Sequence, residues 1–241
     1  MMNRLGWAFI CLLVSSTALS QNVDEIILKN LTARGGVERL SRLKTLCFSG
    51  IIQTDDMVLN MAFYRKMPGK MKLRIEVNGQ IGITAFNGKE GWLLDPARNI
   101  GQPTKVSPEE VELLRPMIYH IFVFFDDLLV DYRKKGIKAE SLENVRVDGK
   151  EAYKIKVLMP DSTVIYYYID KTTNLDFRHD VAFTKMDGVI ILNMKNFTNI
   201  KNYVIPIEID SRLGNLKSTR MFIDNIQLDT DIDDSFFNFP N

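Results

Sequence analysis

The sequence predicts a mainly β protein with a few helices, its strands joined as an antiparallel meander. Three observations carry this. First, tight-turn dipeptides punctuate the chain: Asn78-Gly79, Asn87-Gly88, Asp148-Gly149 and Asp187-Gly188 each separate strand-like runs. Asn-Gly and Asp-Gly readily take the positive φ that a type I′ hairpin turn requires, and Gly214-Asn215 suits the mirror type II′ turn. Second, the runs between them alternate with period two. Met71, Leu73, Ile75 and Val77 point one way, and Lys72, Arg74 and Glu76 the other; the same pattern recurs in YKIKV (153–157) and IPIEID (205–210). Third, these runs amount to about eleven strands, nearly all antiparallel neighbours, with no linker between them that would mark a second domain.

Composition fits this class. The 241 residues are 46% hydrophobic and 25% charged, with a formal net charge of +1, ordinary for a globular chain. No basic stripe appears, so nucleic acid is not an expected partner.

Residues 1–20 form a separate unit. Arg4 supplies a positive start, Leu5 to Leu19 is mostly apolar, and Ala18 and Ser20 are small residues at signal-peptidase spacing. The expectation is a cleaved export signal, residues 1–20, followed by one domain over 21–241. The mature chain should therefore start at Gln21. An intact mass from an exporting host checks this, and a soluble cytoplasmic product retaining Met1 would refute it. Removing Arg4 leaves 30 basic and 30 acidic residues. Cys11 follows bulky Ile10 rather than a small residue, which argues against lipid attachment there. Cleavage leaves Cys47 alone, so no internal disulfide forms; within TLCFSGII it reads as a buried small hydrophobe.

The helices come next. VDEIILKNLTA (23–33) places Ile27 and Leu31 one turn apart before Gly35-Gly36. A further turn, VERLSRL, leads into the first strand near Lys44. Ser107-Pro108-Glu109-Glu110 is a helix start, with Ser at the cap, Pro at the first position and Glu completing a capping box. Arg115-Pro116 interrupts, and a second helix is expected from Pro116 through PMIYHIFVFFDDLL (116–129). Here Leu114, Met117, Ile118, Ile121, Phe122, Phe125, Leu128 and Leu129 follow the i, i+3, i+4 rhythm of one buried face. Tyr119, Val123 and Phe124 lie off that face and are apolar too. The run is too short to cross a bilayer, which takes about 20 apolar residues. It is either a fully buried core helix or a helix beside an apolar cavity in a curved sheet.

Catalytic material is sparse. There are two histidines. His120, in the apolar helix, reads as satisfied or lid-facing rather than catalytic. His179 alternates with charged neighbours in FRHDVAF and is expected to be exposed. No GxSxG elbow, zinc spacing or phosphate loop occurs. The acidic run DTDIDDS (229–235) lacks the Gly and distal Glu of a calcium loop and reads as a solvated tail. Tyr166, Tyr167 and Tyr168 are strand formers. No catalytic residue, metal or cofactor is expected. Trp92 either floors a cavity or fills the core.

Three stretches, FYRKMPGKMKLRIEV, ITAFNGKEGWLLDPARN and SPEEVELL, resemble the periplasmic outer-membrane lipoprotein carrier (LolA-like) family, above all its lipoprotein-sorting branch. The matching positions are Arg65, Lys66 and Pro68 at a strand-end basic-x-Pro step; Asn87, Gly88 and Lys89; and Trp92, Asp95 and Pro96. ARGGVERLSRLKTLCFSG and the terminal DDSFFNFP also look like the family's ends, so the likeness covers most of residues 23–240.

The resemblance implies an open, strongly curved antiparallel half-barrel with short helices covering its concave face as a lid. It implies a monomeric periplasmic carrier, without catalysis or cofactor, for lipid or lipoprotein acyl chains bound for the outer membrane. Membrane sorting proteins are the implied partners. Cavity and lid candidates are then Leu73, Ile75, Trp92, Met117, Ile118, Ile121, Phe122 and Phe125. Two departures stand out. The best-known carriers place a lid-latching Arg directly before the strand-end Pro; here Met67 holds that place, with Lys66 and Arg65 as displaced latch candidates. The extra C-terminal strand of those carriers is not matched, so their membrane-release role is not implied. The alternative is an exported β domain of the same fold that senses or binds a protein partner.

Overall fold

The computed structural model describes residues 22–121, 128–184, 187–214 and 218–240. The expected export signal lies outside the described residues.

Two short helices lead. α1 (Val23–Ala33) is capped by Asn22, whose side chain accepts from the Asp24 N–H, and it buries Ile26, Ile27, Asn30 and Leu31; α2 (Val37–Arg42) buries Leu40. Six strands follow: β1 (Thr45–Gln53), β2 (Val58–Lys66), β3 (Lys70–Val77), β4 (Gln80–Asn87), β5 (Gly91–Asp95) and β6 (Ile100–Lys105). After α3 (Pro108–Ile121) come β7 (Lys138–Ser141), β8 (Val145–Val147), β9 (Lys150–Leu158), β10 (Val164–Asp170), β11 (Asp176–Ala182), β12 (Val189–Ile200), β13 (Tyr203–Leu213) and β14 (Thr219–Leu228).

All fourteen strands of the described residues belong to one open antiparallel sheet in the order β6-β5-β4-β3-β2-β1-β14-β13-β12-β11-β10-β9-β7, with β8 on β9. The count exceeds the expected eleven because β5 to β8 are short strands with little alternation to read. The two meanders join where the first strand meets the last: β1 pairs β14, Leu46 opposite Leu228 and Gln53 opposite Arg220. A shift between Ser49 and Gly50 bends that seam. Gly50 is needed there, because an added Cβ would fall 1.9 Å from the Phe222 carbonyl oxygen.

The hairpins separate by turn chemistry. At Asn78-Gly79 and Asp148-Gly149 both residues have positive φ, as type I′ demands. Asn87-Gly88 is different. Gly88 alone has positive φ, and the Asn87 side chain accepts from the Lys89 and Glu90 N–H groups at 3.0 and 2.9 Å, an Asx turn. Gly188 likewise has positive φ without Asp187.

The capping box at α3 forms as expected: Glu110 N–H donates to Ser107 Oγ and Ser107 N–H to Glu110 Oε2. The expected break at Pro116 does not occur, because α3 runs through it to Ile121. Proline removes one N–H and crowds the carbonyl four residues back, which weakens a turn, but the capped N-terminal turn and the residues after Pro116 stay helical. α1, α2 and α3 pack on one face of the sheet. Ile26, Leu31, Leu40, Phe63, Met71, Ile118, Ile155, Tyr167, Leu192 and Ile209 belong to a single core on that inner face, and the open, curved sheet wraps it as a half-barrel.

Candidate functional site

Register decides which strand residues meet. Leu73 faces Phe63 and Thr84 on its neighbours, and Ile75 faces Met61 and Gly82. Phe63 and Met61 are core residues, so Leu73 and Ile75 point inward. Towards the β3–β4 turn they line a groove of about 200 Å³ with Val77, Gly82, Leu94 and Pro96. Leu73 also packs against the main core, which makes the groove an outlet of that core. Gly82 leaves the groove floor without a side chain.

α3 covers the inner face. Val111, Leu114 and Ile118 pack on the core, and Ile118 is 6% exposed. Both flanks are anchored. Ser107 and Glu110 fix the start; beyond the far end Leu128, Leu129 and Val130 are buried. Tyr132 Oη donates to Asp24 Oδ1 at 2.7 Å, and Arg133 forks onto the same carboxylate. Burial and the bond to Asp24 push the Tyr132 hydroxyl up to about 12, so it stays a donor to α1 at any ordinary pH. Met117 and Ile121 lie on α3; Phe122 and Phe125 lie outside the described residues.

The other candidates separate by face. Arg65 pairs with Leu46 and Met71, points inward and is 3% exposed. Lys66 points outward, where its Nζ donates to the Ile232 carbonyl at 2.6 Å and meets Asp234 at 2.8 Å. Trp92 does not join Leu73 and Ile75. It pairs with Ala85, which pairs with Lys72, and this row faces outward. Trp92 Nε1 donates to the Phe237 carbonyl at 3.1 Å, and Lys72 Nζ lies over the Phe236 and Trp92 rings. The indole therefore holds down the C-terminal segment and floors no inner cavity.

The acidic run is solvated as expected, its Asp229, Asp231, Asp233 and Asp234 exposed, but it is not a free tail. Asp229 accepts from the Lys44 N–H, and Asp233 caps a turn of 3₁₀ helix (Asp234–Phe237). Lys66 and Lys70 hold the Asp234 carboxyl down to about 2. Phe237 is fully buried. The carboxylates are spaced for local caps and for two lysines on neighbouring strands, a use that local charge density does not disclose.

His179 is a second correction. It is 2% exposed, not surface. Its Nε2 lies 2.7 Å from Asp176 Oδ2, and its ring packs on Tyr167 with centroids 4.1 Å apart. Asn30 donates to Asp176 Oδ1 at 2.9 Å, and Arg34 Nε lies 3.8 Å from the same oxygen. Burial alone would raise the Asp176 carboxyl, but Arg34, His179 and Asn30 outweigh it and hold it well below the usual carboxylate range. This buried His–Asp pair offers a substrate no approach; it fastens α1 to β11. A sequence signal existed: Asn30 and Arg34 continue the buried Ile26 line of α1 at i+4 and i+8.

The same architecture occurs in solved proteins. A putative outer membrane lipoprotein-sorting protein domain from Vibrio parahaemolyticus aligns over 89% of this chain and 95% of its own, with TM-score 0.58 and 13% identity. A LolA superfamily protein from Nitrosomonas europaea aligns over 89% and 96%, with TM-score 0.57 and 12% identity. A DUF1329 family protein from Desulfovibrio piger aligns over 90% and 97%, with TM-score 0.57 and 14% identity. At these identities the likeness is one of fold, and the half-barrel expected from the sequence is the fold the chain adopts. No protein-family profile and no curated protein sequence matches the chain.

Proposed function

We propose that the protein is an exported, periplasmic carrier that binds lipid or lipoprotein acyl chains between the inner face of its half-barrel and α3, and moves them towards the outer membrane. One observation carries the reading: the inner core runs on into an apolar groove at Leu73 and Ile75, on the face against which α3 packs, a helix anchored at both flanks. Two of the structures that share the fold are described as a lipoprotein-sorting domain and a LolA superfamily protein, which supports this cargo class. No described helix is long and apolar enough to cross a membrane.

Magnitudes show what carriage requires. The groove, about 200 Å³, equals roughly seven water volumes at ~30 Å³ each, and a methylene is of similar size. Burying about seven methylenes contributes ~6 kcal/mol, and association costs at least ~4 kcal/mol. The groove alone therefore holds a chain end only weakly. Micromolar retention, ~8 kcal/mol net, requires the rest of the chain to lie beneath α3, so α3 has to lift. In this reading Arg65, buried on the inner face, serves as the latch.

Protein exported with its signal should yield near-stoichiometric fatty acyl species on organic extraction and lipid analysis. Recovery of no acyl species from a folded preparation would overturn the carrier reading in favour of a partner-binding domain of the same fold.

A further inference from the structure

The outer face of the sheet carries a second, chemically opposite recess, of about 480 Å³, within the roughly 300–1,000 Å³ of sites that take small molecules. Its floor is a row across five adjacent strands: Arg178, Asn193, Asp210, Arg220 and Gln53 are successive cross-strand partners from β11 to β1. The main core lies on the opposite face through Leu192, Ile209 and Met221. Among the thirteen described residues lining the recess, Ile191 alone is apolar, so no acyl chain would settle there.

Its charges are balanced and mostly committed. Three arginines face three aspartates, Asp55, Asp148 and Asp210. Arg178 makes two bonds to Asp180 at 2.7 and 3.0 Å, and Arg220 Nε donates to Asp210 at 3.0 Å. Exposed Arg212 and Asp148 make no ion pair among the described residues, and the Asn193 Oδ1 atom is buried without a hydrogen-bond partner. A buried acceptor left unsatisfied costs about 1–3 kcal/mol, so a ligand donor at that atom recovers energy the empty site gives up.

We propose that this recess binds an acidic saccharide, its carboxylate on Arg212, a hydroxyl donating to Asn193 and further hydroxyls on the aspartates. The lining excludes the other classes. A peptide needs an unpaired strand edge or apolar side-chain pockets, whereas these strands are paired on both sides and offer only Ile191. Nucleic acid needs a net positive surface, and this one is balanced. Alternating carboxylate, amide and guanidinium groups suit vicinal hydroxyls, which donate and accept at once.

Backbone-amide NMR mapping of the exported protein, titrated with cellobiuronic acid and with uncharged cellobiose, tests this. Cellobiuronic acid should give saturable shifts confined to amides around Asn193 and Arg212. Cellobiose, lacking the carboxylate, should bind about tenfold more weakly, the worth of one charge-assisted hydrogen bond. Arg212→Gln should weaken cellobiuronic acid by a similar factor without moving the unfolding midpoint, since Arg212 is exposed. No saturable shift at millimolar sugar, equal affinity for both sugars, unchanged affinity in Arg212→Gln, or equal competition by a tri-aspartate peptide would each overturn the proposal. Acyl recovery reports on the opposite face and stands or falls separately.

Discussion

Ile118→Asp should empty the protein of acyl chains while leaving its sheet folded. Ile118 is 6% exposed and packs on the inner core from α3. In a fixed core the substitution would remove a buried aliphatic side chain, about 2–5 kcal/mol, and add an unpaired buried carboxylate, several kcal/mol more. Against a total stability of typically ~5–15 kcal/mol, that unfolds the protein. A helix that lifts escapes the second cost, because the carboxylate hydrates outside the half-barrel and only the docking of α3 is lost. The comparison is Ile155→Asp. Ile155 is fully buried on β9 in the same core, but its strand is paired on both sides and cannot lift. Strand circular dichroism should survive in Ile118→Asp and collapse in Ile155→Asp, with acyl recovery lost in both. Equal unfolding would make α3 fixed core and remove the main support for carriage.

Asp176→Asn should destabilise the protein by about 3–5 kcal/mol, the usual cost of removing one partner from a buried ion pair. Arg34 would keep its charge at 6% exposure with the nearby carboxylate gone. The effect should depend on pH with a definite sign. The folded Asp176 carboxyl titrates below its unfolded value, so the unfolded chain binds the extra proton and stability rises with pH. The contribution is complete above about pH 5, one unit over the ordinary Asp value of ~3.9, and is lost as pH falls through ~4 towards the folded value. Urea unfolding at pH 7, 4 and 3 should show wild type and Asp176→Asn far apart at neutrality and converging in acid. A constant difference across that range would mean that the carboxylate is not held by Arg34, His179 and Asn30 as described. Acyl binding should be unaffected at neutral pH wherever the variant remains folded, since the cluster lies apart from the groove.

Features governed by a few consecutive residues were legible in the sequence. The period-two alternation of Met71 to Val77 predicted which side chains share a face. The positive φ of Asn78-Gly79 and Asp148-Gly149 predicted two hairpins, and Ser107 to Glu110 predicted the start of α3. Each rests on local backbone preference, capping or pleat, and needs no knowledge of what lies across the sheet. The tertiary structure alone decided everything that depends on register or on a docked element. Trp92 faces away from Leu73 because of how β5 pairs with β4 and β4 with β3, and a slip of one residue would reverse the face. His179 is buried because α1 brings Asn30, 146 residues before Asp176, within 2.9 Å of it and offsets a desolvation cost that its charged neighbours had seemed to forbid. The acidic end is docked because Lys66 and Lys70 on paired strands meet over Asp234. The two meanders form one sheet because β1 meets β14, a pairing of strands far apart in the sequence that no local pattern encodes.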